Sequence, residues 1–405
     1  MRDSFDINGV DTSSDEYGGY AGIFTGFAGA VKGGLSYAGS KIQIMGDPKI
    51  CLFFNECDQC KKFSLGMQYC ARKGYHLPLP IDFSLKHDCM NVRQFVKKHF
   101  PDIKDIEHAA SVWSDCGEII RCKLNGEACV IKAIEVPRQI NHSRITQSEF
   151  ALARKRQSYL VEFNWYQQFS GQLPLEAAAI PCLNAVQENN QQALLFADFT
   201  ACGYQQAQAS SAHIDAILRW LAHFHAVNLS STAEGLWPQG SYWHLATRPD
   251  EYARMTHSSL KVEAENIDTA LKQCVYQTLI HGDAKLANFA IKPHTNCVYG
   301  YDFQYVGKGV GIIDVMYFLG SCLSDKALHT DASAYLDQYY DELALALKRY
   351  KPNISAADVI ASWDELWAYA WADFYRFLAG WSPEHLKINR YMQSQFNYYL
   401  TKKGT

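Results

Sequence analysis

No long apolar run, no basic excess and no glycine-rich phosphate loop is found in this chain of 405 residues. Near the N-terminus the most apolar stretch, Ala21 to Val31, is 11 residues broken by glycines, whereas a membrane-spanning helix needs about 20. Asp3 and Asp6 stand where a secretory signal carries basic residues, so neither a signal nor a membrane anchor is expected. Lys and Arg number 38 against 42 Asp and Glu, a net charge of -4, which gives no footprint for nucleic acid as the main partner. Gly34 to Lys41 lacks the G-K-[ST] ending of a Walker loop, so its glycines do not make a nucleotide site. Cysteine is not scarce: 13 residues, an odd number in a chain too large to need disulfide staples, read as reduced thiols in a cytoplasmic protein.

A hydrophobic content of 48% is enough for a substantial core, but residues 1–89 differ from the rest. Eight of the 26 glycines fall between Gly18 and Gly39, a composition that costs backbone entropy and suggests a flexible extension. Cys57-x-x-Cys60 has a spacing suited to zinc, and Cys70 with His76 or Cys89 would complete the shell. A second pair at zinc-ribbon spacing is missing, so unliganded thiols are the expectation and zinc the alternative. Met90 opens MNVRQFVKKHFPDIKDIE, a natural beginning for the part that follows. The first 89 residues therefore read as an appended module or as a gene start placed too far upstream.

The most informative stretch is Leu279 to Gln304, LIHGDAKLANFAIKPHTNCVYGYDFQ. Phosphoryl transfer needs a carboxylate to orient the attacking hydroxyl, oxygen ligands for magnesium and a cation on the phosphates. Asp283 and Asn288 stand at the D-x-x-x-x-N spacing, which puts the Asp at the nucleophile and lets the Asn reach a metal. The run Val298 to Tyr301 suits a short strand carrying Asp302 to the same place, with a hairpin turn at Pro293, His294, Thr295 and Asn296. An isolated D-x-x-x-x-N says little; the joint pattern says much more.

This stretch resembles the catalytic loop and magnesium motif of the aminoglycoside phosphotransferase and choline kinase superfamily. HGDAKLANF followed by DFQYVGKGVGIIDVMYFLGSCL looks most like its ecdysteroid kinase-like branch. The resemblance makes Asp283 the catalytic base and Asn288 and Asp302 the magnesium ligands, in agreement with their spacing. It alone implies that Asp314 is a carboxylate bracing the catalytic loop.

Upstream, Val112 to Ile134 reads as a strand, a turn and two further strands, with Asn125-Gly126 as a hairpin turn. Ser114-Asp115-Cys116-Gly117 occupies the place of a nucleotide-covering loop without a G-x-G-x-x-G, so Gly117 is expected at an atypical phosphate lid. Lys132, on the third strand, is placed to reach the α- and β-phosphates of ATP. A helix over Gln147 to Phe169, with Leu152, Tyr159, Phe163 and Tyr166 on one face, carries Glu162 as the expected partner of Lys132 and Glu149 as the fallback. Ala193 to Phe199 reads as the last strand of this lobe, with backbone groups of Asp198 and Phe199 against the adenine. His225, on the apolar side of a helix over His213 to Val227, reads as a satisfied core histidine. Gly235 to Tyr252 reads as a loop.

The expected fold is a two-lobed, protein-kinase-like α+β structure: an antiparallel sheet lobe over residues 90–200 and a mainly helical lobe over 201–405, with ATP between them. The expected reaction transfers the γ-phosphoryl group of ATP, with magnesium, to a hydroxyl of a small-molecule alcohol. Two rival readings are a protein Ser/Thr kinase and a catalytically inactive kinase-like binding module. Against the first, Gly282 replaces the arginine of H-R-D enzymes, and Ser382-Pro383-Glu384 comes too late to be an A-P-E segment. Against the second, Lys132, Asp283, Asn288 and Asp302 are all present. From Asp331 to Thr405, nine acidic residues face eight basic ones, which disfavours a polycationic acceptor. Eight aromatic residues lie between Ala361 and Trp381; most are expected to fill the helical core, but one helix face cannot bury so many, so some are expected to line the cleft and favour an apolar or ring-shaped alcohol, with a quaternary ammonium alcohol of the choline type second and aminoglycosides last. The oligomeric state is left open.

Overall fold

The structure, a computed structural model, describes residues 91–112, 116–136 and 148–403. The glycine-rich segment, the Cys57–Cys60 pair with its neighbours, and Ser114-Asp115 lie outside the described residues. From Phe95 onward the chain packs as one unit with two lobes.

Helix α1 (Val92–His99) buries Phe95 and Val96. Strands β1 (Ile103–Ser111), β2 (Gly117–Leu124) and β3 (Glu127–Glu135) follow, then helix α2 (Glu149–Gln168), β4 (Cys182–Glu188) and β5 (Gln191–Ala197). The five strands form one sheet in the order β1-β2-β3-β5-β4, every neighbouring pair antiparallel. Asn125 and Gly126 turn the β2–β3 hairpin with φ of 54° and 90°, the left-handed values that this residue pair tolerates. β1 begins nine residues before Val112, where sequence reading put the first strand, and ends before it. Its sequence, IKDIEHAAS, is mostly exposed, and its register breaks around Asp105 (φ 52°). A bulged edge strand of this kind carries no clean alternation to read.

Ser148 caps α2 by accepting the Ala151 N–H, so the helix starts two residues later than its pattern suggests. One face buries Lys155, Ser158, Tyr159, Glu162 and Tyr166, a 3–4 spacing that aims polar groups at one place.

The second lobe opens with β6 (Gln205–Gln206) and α3 (Ser211–Val227), then α4 (Pro249–Arg254), α5 (Ser259–Gln273) and β7 (Thr278–Ile280). β8 (Phe289–Lys292) and β9 (Cys297–Gly300) form the expected hairpin, with His294 and Asn296 at positive φ in its turn. β10 (Gly307–Gly309) pairs with β7. Helices α6 (Ile312–Cys322), α7 (Asp325–Tyr350), α8 (Ala356–Glu365), α9 (Trp367–Trp381) and α10 (Arg390–Lys403) complete it. Among the described residues no helix is long and apolar enough to cross a membrane.

Most of the aromatic segment fills the core, as expected, for two reasons. It is broken at Leu366 between α8 and α9, and α9 is packed by α4, α5, α6, α8 and α10. A helix surrounded on several faces buries rings on several faces. Trp363, Trp367, Trp371, Phe374 and Phe377 are buried, while the half-buried Tyr369 and Tyr375 pack on Tyr399 and Phe396 of α10. These rings fill the core, and their number does not speak for the acceptor.

Gly235 to Tyr252 is not a plain surface loop. It buries Leu236, Tyr242, Trp243, His244 and Arg248 and runs beside the Leu279–Gln304 stretch: Ser241 N–H donates to Tyr305 O at 3.2 Å and Tyr242 N–H to Gly282 O at 3.1 Å.

Candidate active site

Strand β3 and helix α2 bring the first two polar groups together. The ammonium of Lys132 lies 2.9 and 2.8 Å from the two carboxylate oxygens of Glu162, and the fallback Glu149 stays exposed in the first turn of α2. From the other lobe, Asp302 Oδ1 lies 2.8 Å from the same Lys132 nitrogen. Burial by itself would push the Lys132 ammonium down, but the Asp302 and Glu162 carboxylates outweigh it and hold its pKa up at about 12. Two carboxylates share that cation unequally. Burial pushes Glu162 up to about 7, whereas at Asp302 the opposing pull of Lys132 wins and lowers the pKa.

Asp302 has φ of 67°, an uncommon conformation outside glycine. Phe303 next to it stacks on Trp165 of α2 at 4.8 Å and lies 4.5 Å from His281, so the apolar contact that joins the lobes also sets the Asp302 carboxylate. Gln304 adds a polar tie. Its Nε2 donates to Asp302 Oδ1 at 2.6 Å, its Oε1 accepts from Ser158 at 3.3 Å, and its backbone carbonyl accepts from the Trp237 indole at 2.8 Å. Sequence reading assigned Gln304 and Ser158 no role; the position of Ser158 four residues before Glu162 on the same helix face was the available signal.

The Asp283 loop is held from below. Asp314 Oδ2 accepts the His281 N–H at 2.6 Å and Oδ1 the Gly282 N–H at 3.0 Å, the bracing that the family resemblance implied. His225 is fully buried between Asp314 (3.1 Å) and the Tyr339 hydroxyl (2.9 Å), a satisfied core histidine. The imidazole of His281 faces Tyr301 O through Nε2 at 3.0 Å and the Asp283 N–H through Nδ1 at 3.3 Å. A carbonyl can only accept and an amide N–H can only donate, so the proton sits on Nε2. Gly282 has φ of +77°, and a Cβ there would fall 2.1 Å from Tyr305 O; only glycine fits.

Asn288 is fully buried, and its Nδ2 donates to Asp283 O at 2.8 Å and to Asp283 Oδ2 at 3.0 Å. Its Oδ1 is buried with no hydrogen-bond partner among the described residues. The Tyr301 N–H donates to Asn288 O at 3.1 Å, which ties Asn288 to the residue before Asp302, and an unpartnered amide oxygen and a carboxylate are both hard-oxygen donors of the type magnesium takes. Lys285 stands 4.0 Å from Asp283 Oδ2 and helps to lower the Asp302 pKa.

The remaining expected positions are Gly117, Asp198 and Phe199. Gly117 opens β2 opposite Ile134, its carbonyl accepts the Val112 N–H at 2.8 Å, and a Cβ would meet Ala133 O at 2.0 Å. Its glycine is accounted for by close strand packing. The Asp198 N–H donates to Ala128 O at 3.1 Å, extending the sheet. The Asp198 and Phe199 carbonyls accept from Cys202 and Tyr204 within the connection to the second lobe.

An antiparallel sheet lobe with one helix-borne glutamate on a strand lysine, set over a mainly helical lobe with a D-x-x-x-x-N loop, defines the phosphotransferase class. The model of the phosphotransferase enzyme family matches residues 144–351, more than half of the chain, and the chain belongs to that family. No curated protein matches it significantly. Among solved structures it is similar to choline kinase LicA from Streptococcus pneumoniae, at 11% identity and a TM-score of 0.38 over 76% of this chain and 97% of that one. It is also similar to choline kinase from Cryptosporidium parvum Iowa II, at 10% identity and 0.46 over 76% and 94%. For an aminoglycoside-3'-phosphotransferase of type VIII the values are 15% and 0.37 over 69% and 98%.

Proposed function

We propose that this chain is an ATP-dependent O-phosphotransferase of the ecdysteroid kinase-like branch, acting on a hydroxyl of a small-molecule alcohol. The observation that carries the reading is the convergence of Lys132, Glu162 and Asp302 on one side and Asp283 with Asn288 on the other, all buried and drawn from both lobes.

Lys132, held by Glu162, is the cation for the α- and β-phosphates. Asn288 and Asp302 would hold magnesium, which neutralises charge on the phosphates. Asp283 orients the acceptor hydroxyl and takes its proton as the new O–P bond forms and the bond from the γ-phosphorus to the bridging oxygen breaks, leaving ADP. Asn288 fixes the Asp283 carboxylate through its amide N–H, so the base is aligned before the acceptor arrives. Burial of all five residues excludes bulk water, which protects the phosphoryl group from hydrolysis. With the aromatic rings of α8 and α9 used in the core, the alcohol is identified by experiment. A screen of sterol-like, choline-type and aminoglycoside alcohols for acceptor-dependent ADP release tests the reading. Stimulation by an alcohol, abolished in Asp302→Ala, is expected; magnesium-dependent release that survives Asp302→Ala would overturn it.

A further inference from the structure

Helix α2 carries a second buried cation that the chemistry above leaves unused. Lys155 is 7% exposed and stands two turns before Glu162, on the face that also buries Ser158 and Tyr159, so it belongs to the same side of the helix as the Glu162 carboxylate. A lysine is rarely buried to this extent, because its ammonium gives up its hydration.

Its surroundings place it at the phosphate cluster. The Lys155 ammonium lies 4.6 Å from the centre of the Tyr159 ring, and the Lys132 ammonium lies 5.9 Å from the same centre. Ser158 donates to Gln304 Oε1 at 3.3 Å, and Gln304 Nε2 donates to Asp302 Oδ1 at 2.6 Å, so this part of α2 is tied to the segment that carries Asp302. Burial pushes the Lys155 ammonium down to about 8, against the pull of Cys116 and Asp302. Cys116 stands where the loop expected to cover the nucleotide joins β2.

That loop has no G-x-G-x-x-G, and so no glycine-built cradle of backbone N–H groups for the phosphates. A side-chain cation close to it can supply the missing positive charge. The N-terminal half of α2 also leans on the second lobe: Arg154 donates to Thr247 O at 2.6 Å and Ser148 to Asp250 at 2.9 Å. Lys155 therefore stands between Lys132 and the lobe that supplies Asp283, on the side where the phosphoryl group leaves. A cation whose burial costs stability is expected where a ligand of opposite charge uses it.

We propose that Lys155 binds the terminal phosphate of ATP, beside Lys132 on the α- and β-phosphates. This role rests on the reading of the chain as an ATP-dependent phosphotransferase. The Lys155 ammonium donates to an oxygen of the γ-phosphoryl group, a charge-assisted contact that ADP cannot make.

Calorimetric titration of the full chain, in magnesium buffer, with ADP and with the non-hydrolysable β,γ-imido-ATP tests this without an acceptor. Lys155→Met keeps an apolar stem and removes the charge. It should weaken β,γ-imido-ATP by about tenfold or more while ADP stays within about threefold. Lys155→Gln should give the same split, Lys132→Met should weaken both nucleotides, and thermal melts verify that each variant is folded. Unchanged affinity for β,γ-imido-ATP in Lys155→Met, or an equal loss for both nucleotides, would overturn the role of Lys155 and leave the reading of the chain standing. A natural chain that binds neither nucleotide would overturn that reading, and this role with it.

Discussion

The carboxylate of Asp314 and the imidazole of His225 meet at 3.1 Å, and both side chains are fully buried. The same carboxylate accepts the N–H groups of His281 and Gly282, so one buried anion fixes the start of the Asp283 loop against α3. Replacing it leaves two N–H groups and an imidazole without their acceptor. Asp314→Ala should lower stability by about 3–5 kcal/mol, measured by denaturant unfolding. A loss under about 1 kcal/mol would show that the loop is held by other means.

Gly282 makes a second structural prediction about the same loop. Its φ is +77°, and a Cβ added there would stand 2.1 Å from Tyr305 O and 2.6 Å from Ser241 N. Gly282→Ala therefore meets both backbone strain and a clash with backbone that cannot swing away. A destabilisation of about 2–4 kcal/mol is expected, together with loss of phosphotransfer. A stable and active alanine variant would show that the loop adopts another path.

Lys155 gives a pH-dependent test. Burial pushes its ammonium down to about 8, although the side chain lies over the Tyr159 ring at 4.6 Å. Between pH 8 and the ordinary value of 10.5 the unfolded chain binds a proton that the folded chain does not, so this group makes the fold more stable as pH rises through that window. Lys155→Met removes the cost of the buried charge. It should therefore stabilise by on the order of 2 kcal/mol at pH 7, with the gain shrinking above pH 8. Equal gains at pH 7 and pH 10 would contradict the assignment.

Much of the site was legible because its residues are fixed by spacing. Asp283 and Asn288 share a short loop, the β8–β9 hairpin returns the chain to Asp302, and Lys132 follows an Asn-Gly turn whose geometry is local. Glu162 was legible as a polar residue bordering a helical apolar stripe. Gln304, Ser158 and Lys155 were not, because their importance arises only when α2 meets the Asp302 segment across the lobes. β1 was missed since an exposed, bulged edge strand has no alternating pattern. The role of Gly235 to Tyr252 was hidden for a different reason: proline and glycine mark an irregular backbone whether it is solvated or, as here, buried against the Asp283 loop. The aromatic residues of α8 and α9 were over-read because a sequence shows how many rings a helix carries and not how many neighbours surround it.

The measurement that bears most directly on the proposed chemistry is single-turnover phosphoryl transfer in Asp283→Asn, paired with ATP binding by the same variant. Asparagine keeps the shape of the side chain and its contact with Asn288 but cannot take the hydroxyl proton. ATP affinity should stay within about threefold of the natural chain, roughly 0.6 kcal/mol, while transfer to the acceptor falls by about a hundredfold or more. Near-normal transfer in Asp283→Asn would show that the reacting hydroxyl is activated elsewhere and that this loop is not the catalytic centre.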